Sequence, residues 1–136
     1  MDDKGPQLDS AKVNEIVLKA HGDIDAVRTL LEEEPRLVNA SWDWGGGDWE
    51  TALGAAAHMG RRDIAELLLD RGVRFDLFAA AMLGQTEIVR ATLAAFPEAR
   101  DVKGPHGIPL IEHARKGGDE AREVLELLES APVAAD

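Results

Sequence analysis

The stretch from Thr51 to Gly72 limits the possible folds most, because it reads as two short helices joined by a glycine. Thr51 can cap the first helix with its hydroxyl group. Gly60 can end that helix in the left-handed conformation at little steric cost. An apolar stripe then recurs at helical spacing in the second helix: Ile64, Leu67 and Leu68. Two helices this short cannot bury their apolar faces alone, so the unit requires stacked copies.

Glycines mark similar units elsewhere in the chain. They lie at four positions: Gly22, Gly60, Gly84 and Gly117. In each copy an apolar residue follows four places later: Ala26, Ile64, Ile88 and Ala121. Acidic residues are expected to cap three of the helices: Asp23, Asp63 and Asp76. The sequence therefore predicts about four stacked helix pairs.

The repeated unit resembles the ankyrin repeat, whose pattern is T-P-L-H-x-A-A-x-x-G-x-x-x-I-V-x-x-L-L-x-x-G-A. That pattern lies over residues 51–73 almost residue for residue, with Ala52 in place of its proline and Gly54 in place of its histidine. The fourth copy matches more loosely, at Pro109, Leu110 and Ala114. The resemblance covers about residues 12–129. It implies an all-α ankyrin-repeat solenoid of about four helix-turn-helix repeats with irregular connecting fingers.

Length and composition are those of one domain, with 136 residues of which 45% are hydrophobic. We expect the domain to span residues 10–130, between tails at 1–9 and 131–136. No apolar run approaches the ~20 residues that cross a bilayer, and the N-terminus lacks a basic-then-apolar signal pattern. A cytoplasmic protein is therefore expected. We also expect the protein to be a monomer. The chain has no cysteine, which excludes disulfides and Cys-ligated zinc.

The net charge of the chain indicates which kinds of partner it can bind. A formal net charge of −11 disfavours binding to nucleic acid, because the phosphate backbone is itself anionic. A neutral or basic protein surface is easier to accommodate. The acidic residues are also what exposed helix faces need for solubility.

The spacing of the glycines predicts uneven fingers. The four glycines are 38, 24 and 33 residues apart, whereas an ankyrin unit has about 33 residues. In ankyrin proteins the connecting loops are β-hairpin fingers along one edge. The resemblance thus implies a long finger at residues 39–50, no finger at 73–76, and a normal finger at 100–108. The missing finger is expected to leave a notch.

All three tryptophans lie in the long finger, at Trp42, Trp44 and Trp49, around three consecutive glycines. Exposed aromatic residues on a hairpin are typical binding anchors. The alternative is that the tryptophans pack on each other and brace an enlarged finger. The sequence leaves both interpretations open.

In ankyrin repeats the two residues before each helix-break glycine face the concave groove. Here these positions hold Ala20, His21, His58, Met59, Met82, Leu83, Arg115 and Lys116. Met59, Met82 and Leu83 would form an apolar floor at the notch, and methionine suits an adaptable recognition surface. The alternative is that these residues belong to the core.

The four histidines show no metal-ligand spacing such as H-E-x-x-H, so we predict no metal and no cofactor. His113 takes a position that is normally small and buried, and is expected to have a hydrogen-bond partner. His58 would lie near the carboxylates of Asp43, Asp48 and Glu50 if the long finger bends over the groove. Such a pair could do acid–base work.

These observations favour a non-catalytic module that binds another protein through its concave face and Trp-rich finger. The candidate binding residues are Trp42, Trp44, Trp49, His58, Met59, Met82, Leu83, His106 and Arg115. No catalytic residue is assigned, because the sequence contains no catalytic motif. The alternative is a small-molecule binder or enzyme that uses a pocket at the missing finger, between residues 42–50 and 104–108.

Overall fold

The computed structural model describes residues 3–130, so the tail expected at 131–136 lies outside the described part. Residues 3–130 form eight α-helices: α1 (Ser10–Lys19), α2 (Ile24–Glu33), α3 (Ala52–His58), α4 (Arg62–Asp70), α5 (Leu77–Leu83), α6 (Thr86–Ala95), α7 (Leu110–Lys116) and α8 (Arg122–Glu129). Two short strands, β1 (Ser41–Asp43) and β2 (Trp49–Thr51), form an antiparallel hairpin. Short 3₁₀ helices span Pro35–Asn39, Pro97–Asp101, Pro105–Gly107 and Gly118–Ala121. The protein is mostly helical, as predicted.

The helices pack as consecutive pairs. Each odd-numbered helix contacts the even-numbered helix that follows it, and α1, α3, α5 and α7 stack on one another in that order. In the second layer α2 packs on α4, and α6 packs on α8. This is the arrangement that amphipathic helices too short to be stable alone adopt when they share one core.

Most of the predicted caps are confirmed. The Thr51 hydroxyl accepts a hydrogen bond from the backbone N–H of Gly54 at 2.8 Å, and Asp23 and Asp76 likewise cap α2 and α5. The prediction for Asp63 is wrong, because α4 begins one residue earlier and Arg61 is its N-cap. The Asp63 carboxylate lies in the first turn and accepts hydrogen bonds from the Arg61 guanidinium.

The long first finger and the absence of a second finger match the prediction, whereas the third finger does not. Residues 41–51 form the hairpin, and three consecutive glycines with positive φ make its turn: Gly45, Gly46 and Gly47. Residues 73–76 contain no strand, and the N–H of Arg74 donates to the Asn39 side chain instead. The regular hairpin expected at 100–108 is reduced to one bridge, between Lys103 and Pro109. Prolines at 105 and 109 lack the N–H groups that a longer ladder needs.

Small residues allow the inner helices to approach closely. Alanines 55–57 in α3 and 79–81 in α5 are completely buried. Met82 is also fully buried and Leu83 is only 7% exposed. The prediction that these two residues form an apolar floor at a notch is therefore wrong. Both side chains belong to the hydrophobic core, as the alternative interpretation predicted. Among residues 3–130, no helix is both long and apolar enough to cross a membrane.

Candidate functional site: a buried glutamate among three histidines

Three histidines that are distant in sequence meet at one glutamate. His21 follows the end of α1, His58 is the last residue of α3, and His106 lies in the 3₁₀ turn Pro105–Gly107. Glu50 is the middle residue of β2 and is only 1% exposed. The hairpin places it here because β1 packs on α1 and β2 packs on α3. One ligand-type atom from each of the four residues lies within 4.8 Å of the others. We call this group the His–Glu centre.

The imidazole rings approach the carboxylate through their Nε2 atoms. His21 Nε2 lies 3.1 Å from Glu50 Oε1, while His58 Nε2 and His106 Nε2 lie 2.9 Å and 3.2 Å from Oε2. The Trp44 indole N–H donates to Oε1 at 2.9 Å. Four nitrogen atoms therefore surround one buried carboxylate.

A second layer of contacts orients two of the rings. His21 Nδ1 lies 3.0 Å from the carbonyl oxygens of both Val17 and Leu18. Asp48 Oδ2 lies 2.7 Å from His106 Nδ1, and its Oδ1 accepts the His106 backbone N–H at 2.8 Å. His106 has a φ of 61°, a conformation uncommon for any residue other than glycine. The two hydrogen bonds to Asp48 hold this turn and aim the ring at Glu50.

The contacts within and around the His–Glu centre shift the pKa values of its carboxyl groups and of His21. Burial acts to raise the pKa of Glu50, but the contacts with His21, His58 and Trp44 outweigh burial and hold that pKa well below its usual range. The Glu50 carboxylate in turn raises the pKa of His21 above its ordinary value, against the opposing effect of burial. The His106 backbone N–H lowers the pKa of Asp48. Both carboxyl groups are ionised at neutral pH.

Two atoms of the centre are buried without a hydrogen bond of proper geometry. They are Glu50 Oε2 and His58 Nε2, although only 2.9 Å separates them. Short separation without alignment means that a proton on His58 Nε2 would not point at Oε2. Buried polar atoms without partners are rare, and each calls for a cause such as a bound ion.

His113 lies outside this group. Its ring is fully buried, and its Nδ1 lies 3.0 Å from the Pro109 carbonyl oxygen. The predicted hydrogen-bond partner is thus confirmed. Burial lowers the pKa of His113, which keeps the ring neutral.

The three tryptophans take three different roles. Trp42 is partly buried and packs against the core. Trp44 is 37% exposed and bonds to Glu50, whereas Trp49 is 61% exposed on the hairpin. Of the remaining predicted site residues, Met59 is 45% exposed, and Arg115 pairs with Glu112.

Sequence reasoning placed His58 near the finger carboxylates, and the structure confirms this for Glu50. His21 was not among the predicted site residues. The sequence also did not show which of three carboxylates contacts His58, that of Asp43, Asp48 or Glu50. The signal was the resemblance itself, because His21 and His58 both occupy the pair of positions before a helix-break glycine.

No gap separates the long finger from residues 104–108, so the expected notch between them is closed. Asp48 and His106 join the two segments directly. A cavity of about 580 Å³ lies elsewhere, between the N-terminal segment and the hairpin. Its lining includes Leu8, Arg36, Trp42 and Trp49.

The described part of the chain is mostly helical, and its paired helices are consistent with ankyrin-like helical repeats. Residues 48–76 match the family model described as Ankyrin repeat. This segment contains Glu50, His58 and residues 73–76, where the finger is missing. The chain therefore contains an ankyrin repeat, and the resemblance is confirmed there. Comparison with curated proteins gave no match.

Proposed function

We propose that this protein is a non-catalytic binding module, a solenoid of about four ankyrin repeats that docks another protein on its concave face. Ankyrin repeats are protein-interaction modules, and one such repeat is present at residues 48–76. The tryptophan hairpin forms part of the contact surface in this proposal.

Exposed apolar side chains close in sequence to the histidines of the His–Glu centre support the proposal. Leu18 is 50% exposed and lies three residues before His21, and Met59 is 45% exposed and follows His58. Both therefore lie at the ends of inner helices that carry the His–Glu centre. Large apolar side chains that flank a polar centre give a partner both contact area and orientation.

The observation that carries the proposal is the exposure of Trp49. Its neighbour Glu50 is buried, yet the indole of Trp49 is 61% exposed at the edge of the hairpin. The fold gains little from a tryptophan in this position, whereas tryptophan is among the commonest anchors at protein interfaces. A net charge of −11 favours a neutral or basic partner and disfavours nucleic acid. The free protein is expected to be a monomer.

Two matched variants test the proposal. Trp49→Ala removes the exposed ring of the hairpin, and Phe96→Ala removes a ring of equal exposure, 61%, at the end of α6 in the other helix layer. The immobilised protein is used to capture partners, and the dissociation constant of each purified partner is then measured for both variants.

For a partner docked on the hairpin side, Trp49→Ala should weaken binding about 25-fold, since loss of an interface tryptophan costs about 2 kcal/mol. Phe96→Ala should leave the dissociation constant unchanged. Partners that bind the Trp49→Ala variant as tightly as the native protein, or that depend on Phe96 instead, would refute this docking surface.

A further inference from the structure

The His–Glu centre has a hydrogen-bonding pattern that the protein's own atoms do not complete. His21 Nδ1 faces only the carbonyl oxygens of Val17 and Leu18, which accept hydrogen bonds and cannot donate them. Nδ1 must therefore carry a proton. In a neutral ring this leaves an unprotonated Nε2, which lies 3.1 Å from Glu50 Oε1.

The same reasoning applies to His106. Its Nδ1 lies 2.7 Å from Asp48 Oδ2, an ionised acceptor. The proton of a neutral ring is therefore on Nδ1, and the unprotonated Nε2 lies 3.2 Å from Glu50 Oε2. Two unprotonated nitrogens then lie within 3.2 Å of one buried carboxylate, which is repulsive unless positive charge lies between them.

Either protons or a metal cation could supply this charge, and the contact geometry separates the two. A proton lies along the ring direction of its nitrogen and needs an acceptor in line with it. Glu50 Oε2 and His58 Nε2 meet no such partner, although they are 2.9 Å apart and buried. A metal ion lies off the line between two ligand atoms, at the point where their lone pairs converge.

We propose that the His–Glu centre is a binding site for one divalent transition-metal ion, held by Nε2 of His21, His58 and His106 and by Oε2 of Glu50. This site is independent of the partner-docking function proposed above. Three imidazoles and one carboxylate suit zinc and its neighbours, whereas magnesium and calcium prefer oxygen ligands.

The distances fit such an ion. With bonds of about 2.0–2.1 Å, the edges of a tetrahedral zinc site measure roughly 3.3 Å. Nε2 of His58 and of His106 lie 2.9 and 3.2 Å from Glu50 Oε2, and His21 Nε2 lies 3.1 Å from Oε1 of the same carboxylate. One ligand atom from each of the four residues lies within 4.8 Å of the others. Small movements of the rings would complete the site.

The surrounding contacts are those that metal sites use. Histidine ligands usually donate their second N–H to a carboxylate or a backbone carbonyl, which fixes the tautomer and the ring orientation. Asp48 accepts such a hydrogen bond from His106, and the carbonyl oxygens of residues 17 and 18 accept one from His21. Trp44 donates to Glu50 Oε1, whereas Oε2 has no hydrogen-bond partner among the described residues and can bind the ion.

An ion can reach the centre from one side. The side chains of His106 and His21 are 33% and 24% exposed, whereas those of His58 and Glu50 are 10% and 0% exposed. A bound ion would join α1, α3, β2 and the turn at His106. It would thus hold both fingers against the inner helices, and it should raise the melting temperature because it binds only the folded chain.

Calorimetric titration of the full chain with Zn²⁺, after treatment with a chelator and its removal, tests the proposal. One equivalent should bind, and Glu50→Gln or His58→Ala should weaken the binding at least 100-fold. Asp48→Asn, which removes a charge behind His106, should weaken it about 10- to 100-fold. The matched control is Asp43→Asn, since the Asp43 side chain caps only the hairpin backbone at Gly45 and Gly47 and should leave affinity unchanged.

Three results would overturn the proposal. The first is the absence of saturable Zn²⁺ binding. The second is weak binding of several ions that none of these variants changes, which would place the ions on surface carboxylates. The third is an NMR spectrum in which both nitrogens of His21 and His106 carry protons at neutral pH and Zn²⁺ has no effect. Should Glu50→Gln fail to fold, Asp48→Asn and His21→Gln decide the question, because both residues are partly exposed.

Discussion

A substitution at Gly84 tests how closely the last two helix pairs, α5–α6 and α7–α8, are stacked. Gly84 ends α5 with a φ of +77°, and a Cβ added there would lie 2.1 Å from the Glu120 carbonyl oxygen. Gly84→Ala therefore has two costs. The left-handed backbone costs about 1–2 kcal/mol for a residue with a Cβ. The clash requires the backbone around Glu120 to move by roughly 1 Å, and overpacking of this kind costs about 1–3 kcal/mol more.

Gly72 provides the matched control. Its φ is +82°, but nothing lies within 4 Å of an added Cβ. Gly72→Ala should therefore cost only the backbone term of about 1–2 kcal/mol. We expect Gly84→Ala to lose about 2–5 kcal/mol in urea unfolding followed by circular dichroism. Equal losses for the two variants would show that the turn after α5 does not pack against the segment before α8.

Two further predictions concern the core. Leu68 is completely buried, so Leu68→Ala should destabilise the protein by about 2–5 kcal/mol, and an unchanged melting curve would refute the helix register. His113 has a lowered pKa because it is buried, so the unfolded chain binds its proton first as the pH falls. Stability should be lost below the ordinary value of 6.5, down to the lowered pKa of the folded state. His113→Leu should make this loss smaller in urea unfolding at about pH 7.5 and about pH 5.5, and an equal loss would contradict the assignment.

The glycine spacing and the caps predicted much of the fold, because both act over short stretches of chain. Thr51, Asp23 and Asp76 cap their own helices, and their partners are three residues away. The gap of 24 residues between Gly60 and Gly84 leaves no room for a finger, and residues 73–76 indeed form none. The burial of Met82 was not predicted, because it depends on packing with core residues that are distant in sequence.

The candidate site was only partly predictable, because its residues come from four elements spread from position 21 to position 106. Which finger carboxylate faces His58 depends on strand register. Trp42 pairs with Glu50, and a slip of one residue would turn Glu50 to the other face of the hairpin. Neither composition nor local spacing determines that register. The approach of His106 depends in addition on its left-handed backbone and on Asp48.

Anomalous diffraction tests the metal centre most directly. Crystals of the full chain grown with Zn²⁺ would be measured on both sides of the zinc absorption edge. We predict one anomalous peak about 2.0–2.2 Å from the Nε2 atoms of His21, His58 and His106 and from Glu50 Oε2. A map with no peak at this position, in which the three rings hydrogen-bond directly to the Glu50 carboxylate, would contradict the account.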